Sequence, residues 1–269
     1  MKKILALVLA LCMALTMLAA CGDNTKQPEV TEPVQVDNNE DNEDNEDNAD
    51  NAEAPVVMTY AEYAAAELNT AVCVETYVQA KQGWWEDKAT IYTQNQDGAF
   101  FIYEMPISQE EYDKLVPGTK IRVNGYKSEW SGEVEITDAT YEIIEGDTFV
   151  AEAEDVTALL GTDDLLNKQN MFAAFKGMTV EASKDADGND VAYLYKWDGS
   201  GQEGDDLYFN VSVNGNTYTF LVESYLCGAD TDVYKAVKAL NVGDKIDMEG
   251  FLYWYNGVQP HITSVSAAQ

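Results

Sequence analysis

From Val56 onward apolar and polar residues alternate, with many Val, Thr, Ile and Tyr, the period-two pattern of half-buried strands. The alternation predicts strands over 70–81, 88–94 and 99–105, with Asn95-Gln96-Asp97-Gly98 as a tight hairpin between the last two. Ahead of them, 59–68 reads as a short helix, with Thr59 as N-cap and Glu62 three residues on. A capped helical pattern over 108–115 is stopped by Pro117-Gly118, and strands over 119–127 and 133–144 follow. The C-terminal half repeats this order with longer joints. It predicts an opening helix over 154–160, a linker over 163–170, and strands over 175–184, 207–213 and 217–225. A helix over 230–240 and strands over 245–252 and 258–265 complete it. Between its first two strands lies a long insertion, 185–206, in which Val191 to Trp197 reads as an extra hairpin arm.

The two halves share more than order. Leu115, Gly118, Lys120, Ile121, Gly125 and Gly132 each recur 125 positions later, as Leu240, Gly243, Lys245, Ile246, Gly250 and Gly257. Ile136-Thr137 and Ile262-Thr263 match after a one-residue slip. One unit has been used twice, with boundaries expected at 56–147 and 148–269.

Strand-strand-strand-helix-strand-strand is the order of the OB-fold. The repeated Gly-x-Lys-Ile-x-x-x-Gly stretch resembles the entry to strand four in bacterial OB-fold proteins, where a turn glycine follows the helix and a later glycine bends the strand. The resemblance covers 59–146 and 154–266. It implies a mainly β protein, two tandem OB-fold-like five-stranded barrels, each with a helix between strands three and four. Another small barrel or sandwich with one helix is the competing architecture.

The N-terminus supplies an address. Met1-Lys2-Lys3 is basic and Ile4 to Ala20 nearly all apolar, the build of a secretory signal too short to span a membrane comfortably. Its end, Leu18-Ala19-Ala20-Cys21, resembles the lipobox of bacterial lipoproteins. The resemblance implies cleavage after residue 20, lipid on Cys21, and attachment to the extracytoplasmic face of the cell membrane. An ordinary secreted protein or a single membrane anchor is the alternative. Residues 21–55 then form a disordered acidic tether, since 37–48 contains no apolar residue and cannot offset its ordering entropy. Loose calcium collection by its carboxylates is a minor alternative.

Charge and chemistry narrow the function classes. With 48 acidic against 16 basic residues, the chain is expected to repel phosphate, so nucleic acid is set aside as a partner despite the OB-fold analogy. His261 is the only histidine, which leaves little for a nucleophile-histidine relay or a multi-histidine metal site. No acidic pair stands out as a glycosidase pair, and the glycines over 199–204 lack the Lys-Ser/Thr of a phosphate cradle. Asp185-Ala186-Asp187-Gly188-Asn189-Asp190 resembles part of a calcium loop, but its glycine comes too early and a terminal Glu is missing, so a polar turn is expected. Cys73 and Cys227 remain after cleavage, as one bridge between the units or two buried thiols.

No catalysis, cofactor or metal is therefore expected. The aromatic residues point instead to binding. OB-folds take chain-like ligands on the face of strands two and three, between the loops at its ends. Those positions carry Trp84, Trp85, Tyr92, Tyr103 and Trp130 in the first unit. In the second they carry Tyr193, Tyr195, Trp197, Tyr253, Trp254 and Tyr255. Aromatic faces beside carboxylates and amides suit an extracellular glycan, peptide or protein. The competing reading is a structural or assembly module whose aromatics bury an interdomain or partner contact. A carboxylate-dependent hydrolase is a weaker third.

Overall fold

The computed structural model describes residues 56–268. The lipobox, Cys21 and the acidic tether lie outside the described residues. No helix among the described residues is long and apolar enough to cross a membrane.

The first unit opens with α1 (Tyr60–Ala65), β1 (Ala71–Lys81), β2 (Lys88–Gln94) and β3 (Ala99–Pro106). After α2 (Gln109–Lys114) come β4 (Lys120–Trp130) and β5 (Glu133–Ile143). The strands close in the order β1-β2-β3-β5-β4, with β1 paired to β4 and β3 parallel to β5. Alternate side chains of β1 (Val72, Val74, Val78) meet Ile91, Ile102, Ile121, Val123 and Ile136 inside the barrel. The helices start where caps were expected. Thr59 and Glu62 form a reciprocal capping box on α1, and Ser108 caps α2.

The second unit begins with β6 (Glu154–Asp155), two 3-10 segments and β7 (Phe172–Glu181). The short β8 (Ser183–Lys184), β9 (Asp190–Val191) and β10 (Leu194–Tyr195) form the insertion. β11 (Leu207–Val213), β12 (Asn216–Val222), α3 (Asp232–Lys238), β13 (Lys245–Phe251) and β14 (His261–Ala267) follow. Because β7 pairs with both β11 and β13, these strands also close, in the order β7-β11-β12-β14-β13. Both units therefore have OB-fold strand order. The expected opening helix over 154–160 is replaced by β6, parallel to β7, and one 3-10 turn, Thr157–Leu159. The Asp155 carboxylate accepts from the Thr157 N–H at 3.0 Å, a local bond that competes with helix formation.

The repeated stretch is the corner of each barrel. Gly118 and Gly243 take φ of +90° and +93°, a region glycine enters without steric cost. Each amide then donates to the first strand of its barrel, Gly118 to Val78 and Gly243 to Val180, both at 2.8 Å. Gly125 and Gly250 sit beside register shifts in their ladders. A Cβ on Gly125 would lie 2.6 Å from the Ile136 methyl and 2.7 Å from the Thr137 oxygen, and one on Gly250 would strike the His261 carbonyl. Only a residue without Cβ permits that approach.

Candidate ligand-binding cleft

Part of the outer face of β2 and β3 in the first barrel, around Tyr92, Gln94 and Phe101, is covered by the second barrel. Tyr92, on β2, is completely buried there. Its ring stacks on Phe251 with centroids 4.4 Å apart, and its hydroxyl lies 2.7 Å from His261 Nδ1. Phe101 meets Tyr253 edge-on at 5.4 Å, and the Gln94 side-chain oxygen accepts from the Phe172 N–H at 2.8 Å. Tyr92 is thus corrected from a face residue to a seam residue: its outward position is right, but the second barrel occupies that outside.

A second part of the seam clamps the start of β5. The Gln169 amide donates to the Gly132 carbonyl at 2.7 Å, Asn170 to the Val134 carbonyl at 3.1 Å, and the Asn256 N–H to the Ser131 carbonyl at 2.7 Å. Glu133, fully enclosed between these contacts, accepts from the Trp254 N–H at 2.9 Å. Its other oxygen and the Asn170 side-chain oxygen are both buried without a donor. Burial pushes the Glu133 carboxyl up to about 8, so at neutral pH it carries a proton, and the unpartnered Asn170 oxygen is the neighbouring acceptor.

Beside the seam opens a cleft of about 430 Å³, within the range of small-ligand sites, roughly 300–1,000 Å³. The first barrel contributes Gln82, Gly83 and Trp85 from the β1–β2 loop, with Lys88, Thr90, Phe101, Tyr103 and Glu104 from β2 and β3. The second contributes Glu223, Tyr225, Tyr253 and His261. The two sides are tied by a bond from the Gly83 N–H to the Tyr225 carbonyl at 2.8 Å. Trp85 and Lys88 exchange backbone hydrogen bonds across a turn in which Glu86 and Asp87 take positive φ. Trp85 is 68% exposed there and shares the cleft lining with Tyr225, at 69%, and Tyr103, at 42%.

The floor differs electrically from the rim. At the rim Lys88 and Glu104 form an ion pair at 2.7 Å. On the floor, burial raises the Glu223 carboxyl to about 8 and lowers His261 to about 3. Both are neutral near pH 7, so their 3.7 Å approach is a contact between uncharged groups. The Gln82 amide donates to the Glu223 carboxyl at 2.9 Å.

The other expected residues divide by place. Trp84 is half-buried against the first core, and its indole N–H donates to the Ile107 carbonyl at 3.0 Å, so it closes that barrel. Trp254 packs on the second core, as does Tyr195, edge-on to Tyr193 at 5.5 Å. Trp197 is exposed on the insertion, outside the cleft lining. Trp130 and Tyr255, matched positions of the two repeats, meet across the barrels with centroids 5.2 Å apart and planes tilted by 35°, both rings exposed. They stand on matched turns, Ser131-Gly132 and Asn256-Gly257, in which all four residues have positive φ. Trp85, Tyr103 and Tyr253 are therefore the expected residues that line the cleft. Gln82, Phe101, Glu223, Tyr225 and His261 were missed, because nothing in their own segments marks them and only barrel contact brings them together.

Cys73 and Cys227 are free thiols, both buried. The Asp185 carboxylate accepts from the Asp187 and Asn189 N–H groups at 3.0 and 2.8 Å, closing the β8–β9 hairpin as an ordinary turn. Among the described residues no group of three or more His, Cys, Asp and Glu is placed to hold a metal.

No protein-family model and no curated protein matches the chain. Among solved structures it is similar to a murine DNA binding protein bound with double-stranded DNA, at 14% identity, 73% of this chain, 96% of that one and a TM-score of 0.35. It is similar also to a HINa domain in complex with double-stranded DNA, at 12%, 74%, 100% and 0.33. A deletion mutant of the single-stranded DNA binding protein from Thermus aquaticus matches at 12%, 75%, 96% and 0.22. The strand orders above, and not these likenesses, carry the fold assignment. One expectation is corrected here. Nucleic acid was set aside on net charge; the similar structures named here are DNA-binding proteins, and that exclusion is withdrawn.

Proposed function

We propose that this chain is a non-catalytic binding protein, held on the extracytoplasmic face of a cell membrane by lipid on Cys21, whose interbarrel cleft takes an extracellular glycan. The observation that carries the reading is the convergence of Trp85, Tyr103 and Tyr225 from both barrels on one cleft with an uncharged floor. Exposed aromatic faces stack on the apolar faces of sugar rings, and the Gln82, Thr90 and Glu223 groups can exchange hydrogen bonds with hydroxyls. The tilted pair Trp130 and Tyr255 offers a second aromatic platform two residues along the chain from the cleft wall at Tyr253, so the ligand is a chain and not a single ring. Both platforms exist only when the two barrels are docked, so the seam serves the site.

A glycan-array screen of the intact chain tests this, with Trp85→Ala and Tyr225→Ala as controls. The expected result is selective binding that both substitutions abolish. Binding indifferent to both, or oligonucleotides bound in place of every glycan, overturns the reading. The lipid anchor is tested separately by Cys21→Ser, which should release the chain from membranes.

A further inference from the structure

Glu223 follows β12 on the cleft floor with its side chain 13% exposed. Its two oxygens share a single donor group, the Gln82 amide, at 2.9 Å each. Lys88, the cation of the cleft lining, is already engaged by Glu104. Asp206, the charged group nearest in sequence among those facing Glu223, is occupied by the Ser224 N–H and hydroxyl at 2.8 and 2.7 Å. The remaining groups around it are His261, Tyr92, Tyr208, Tyr253 and Cys227, none of which supplies a positive charge at neutral pH. A buried carboxyl without a cationic partner is costly to ionise, and an opposite charge brought beside it favours ionisation.

The same cleft is walled by Trp85, Phe101, Tyr103, Tyr225 and Tyr253. Aromatic faces carry negative potential and attract desolvated cations, ammonium groups above all. We infer that the cleft prefers a ligand that brings its own positive charge, an amine on a sugar ring, seating that ammonium on Glu223 within the aromatic walls. This inference rests on the glycan-binding reading and names the charge class of its ligand. A cation arriving there displaces the Glu223 proton to solvent, leaving an ammonium–carboxylate pair. Affinity for a permanently charged ligand therefore rises with pH up to the range of about 8 in which Glu223 would ionise unaided.

The test uses the intact chain and three forms of one β-1,4-linked glucosamine oligomer: N-acetylated, free amine and N-trimethylated. Titration calorimetry near neutral pH is expected to give about tenfold tighter binding of the charged forms than of the acetylated one, the scale of one ion–aromatic contact set. The trimethylated form, whose charge does not titrate, should bind more tightly as pH rises and release a proton on binding. Glu223→Gln should bring the charged and acetylated forms to equal affinity. Acetylated oligomer bound as tightly as the amine, or a preference that survives Glu223→Gln, overturns the inference while leaving the cleft reading standing. Trimethylated binding to the wild-type chain that is flat with pH overturns it equally, with no variant needed. If no form binds, or Trp85→Ala changes nothing, the cleft reading fails and the inference with it.

Discussion

Replacing Glu133 by Gln isolates the proton held between the barrels. In the folded chain this carboxyl is fully enclosed and raised from its ordinary 4.5 to about 8. A raised folded value means that the folded state holds a proton the unfolded chain releases. The stabilising effect is fully present below about pH 4.5 and is lost as pH climbs toward about 8. Each pH unit inside that window is worth ~1.4 kcal/mol. Between about pH 5 and about pH 7 this one group therefore removes on the order of 3 kcal/mol of stability. Water entering the seam on ionisation would reduce that figure. Gln keeps the shape: its oxygen can accept from the Trp254 N–H, and its amide can donate to the Asn170 oxygen that lacks a partner. Urea midpoints of wild type and Glu133→Gln at the two pH values are the assay. The variant should gain on wild type by roughly 1–3 kcal/mol at the higher pH. Glu135 and Glu223, raised to about 7 and about 8, leave both proteins a residual slope of the same sign. Parallel profiles, with the variant offset equally at both pH values, would refute the protonated seam.

Other outcomes follow from the same contacts. Gly125→Ala, whose Cβ would meet Ile136 and Thr137, should lower stability by about 1–3 kcal/mol in thermal melts, as overpacking does. An unchanged melting temperature would contradict the corner role. Tyr92→Phe, which leaves His261 Nδ1 without its 2.7 Å partner, should cost about 1–3 kcal/mol by urea titration; a neutral effect would mean that the hydroxyl is not a seam bond. Cys73 and Cys227 should resist a thiol reagent in the native chain and react only on unfolding. Trp130→Ala should remove the gain in affinity with oligosaccharide length while sparing short ligands, and a uniform loss would place it outside the ligand path.

The barrels were legible because their sequence signals are local. Strand alternation, the Ser108 and Thr59 caps, and glycines that must turn or lack a Cβ act within a few residues, and the spacing of 125 doubled every signal. The expected helix over 154–160 failed because parallel pairing with β7 outweighs propensity in so short a segment. The site was only half legible. Aromatic residues could be assigned to outward positions, but period-two reasoning does not say what lies outside. Tyr92 and Trp85 both belong to the β2 side of the first barrel; one is sealed under Phe251 and the other is open. That difference depends on how the second barrel docks, through contacts such as Tyr92 with His261, 169 positions apart. Glu223 and Tyr225 were invisible for the same reason.

If the cleft between the barrels, and not the outer rim of either, is the binding site, removing a cleft ring must weaken binding without unfolding the chain. Calorimetric titration of the intact chain and its Trp85→Ala variant with the strongest ligand from the glycan array reads this directly. The expected outcome is at least about a tenfold loss of affinity on removing an exposed stacking ring, with no change in unfolding midpoint. Equal affinity of wild type and variant, or binding confined to oligonucleotides, would place the site elsewhere.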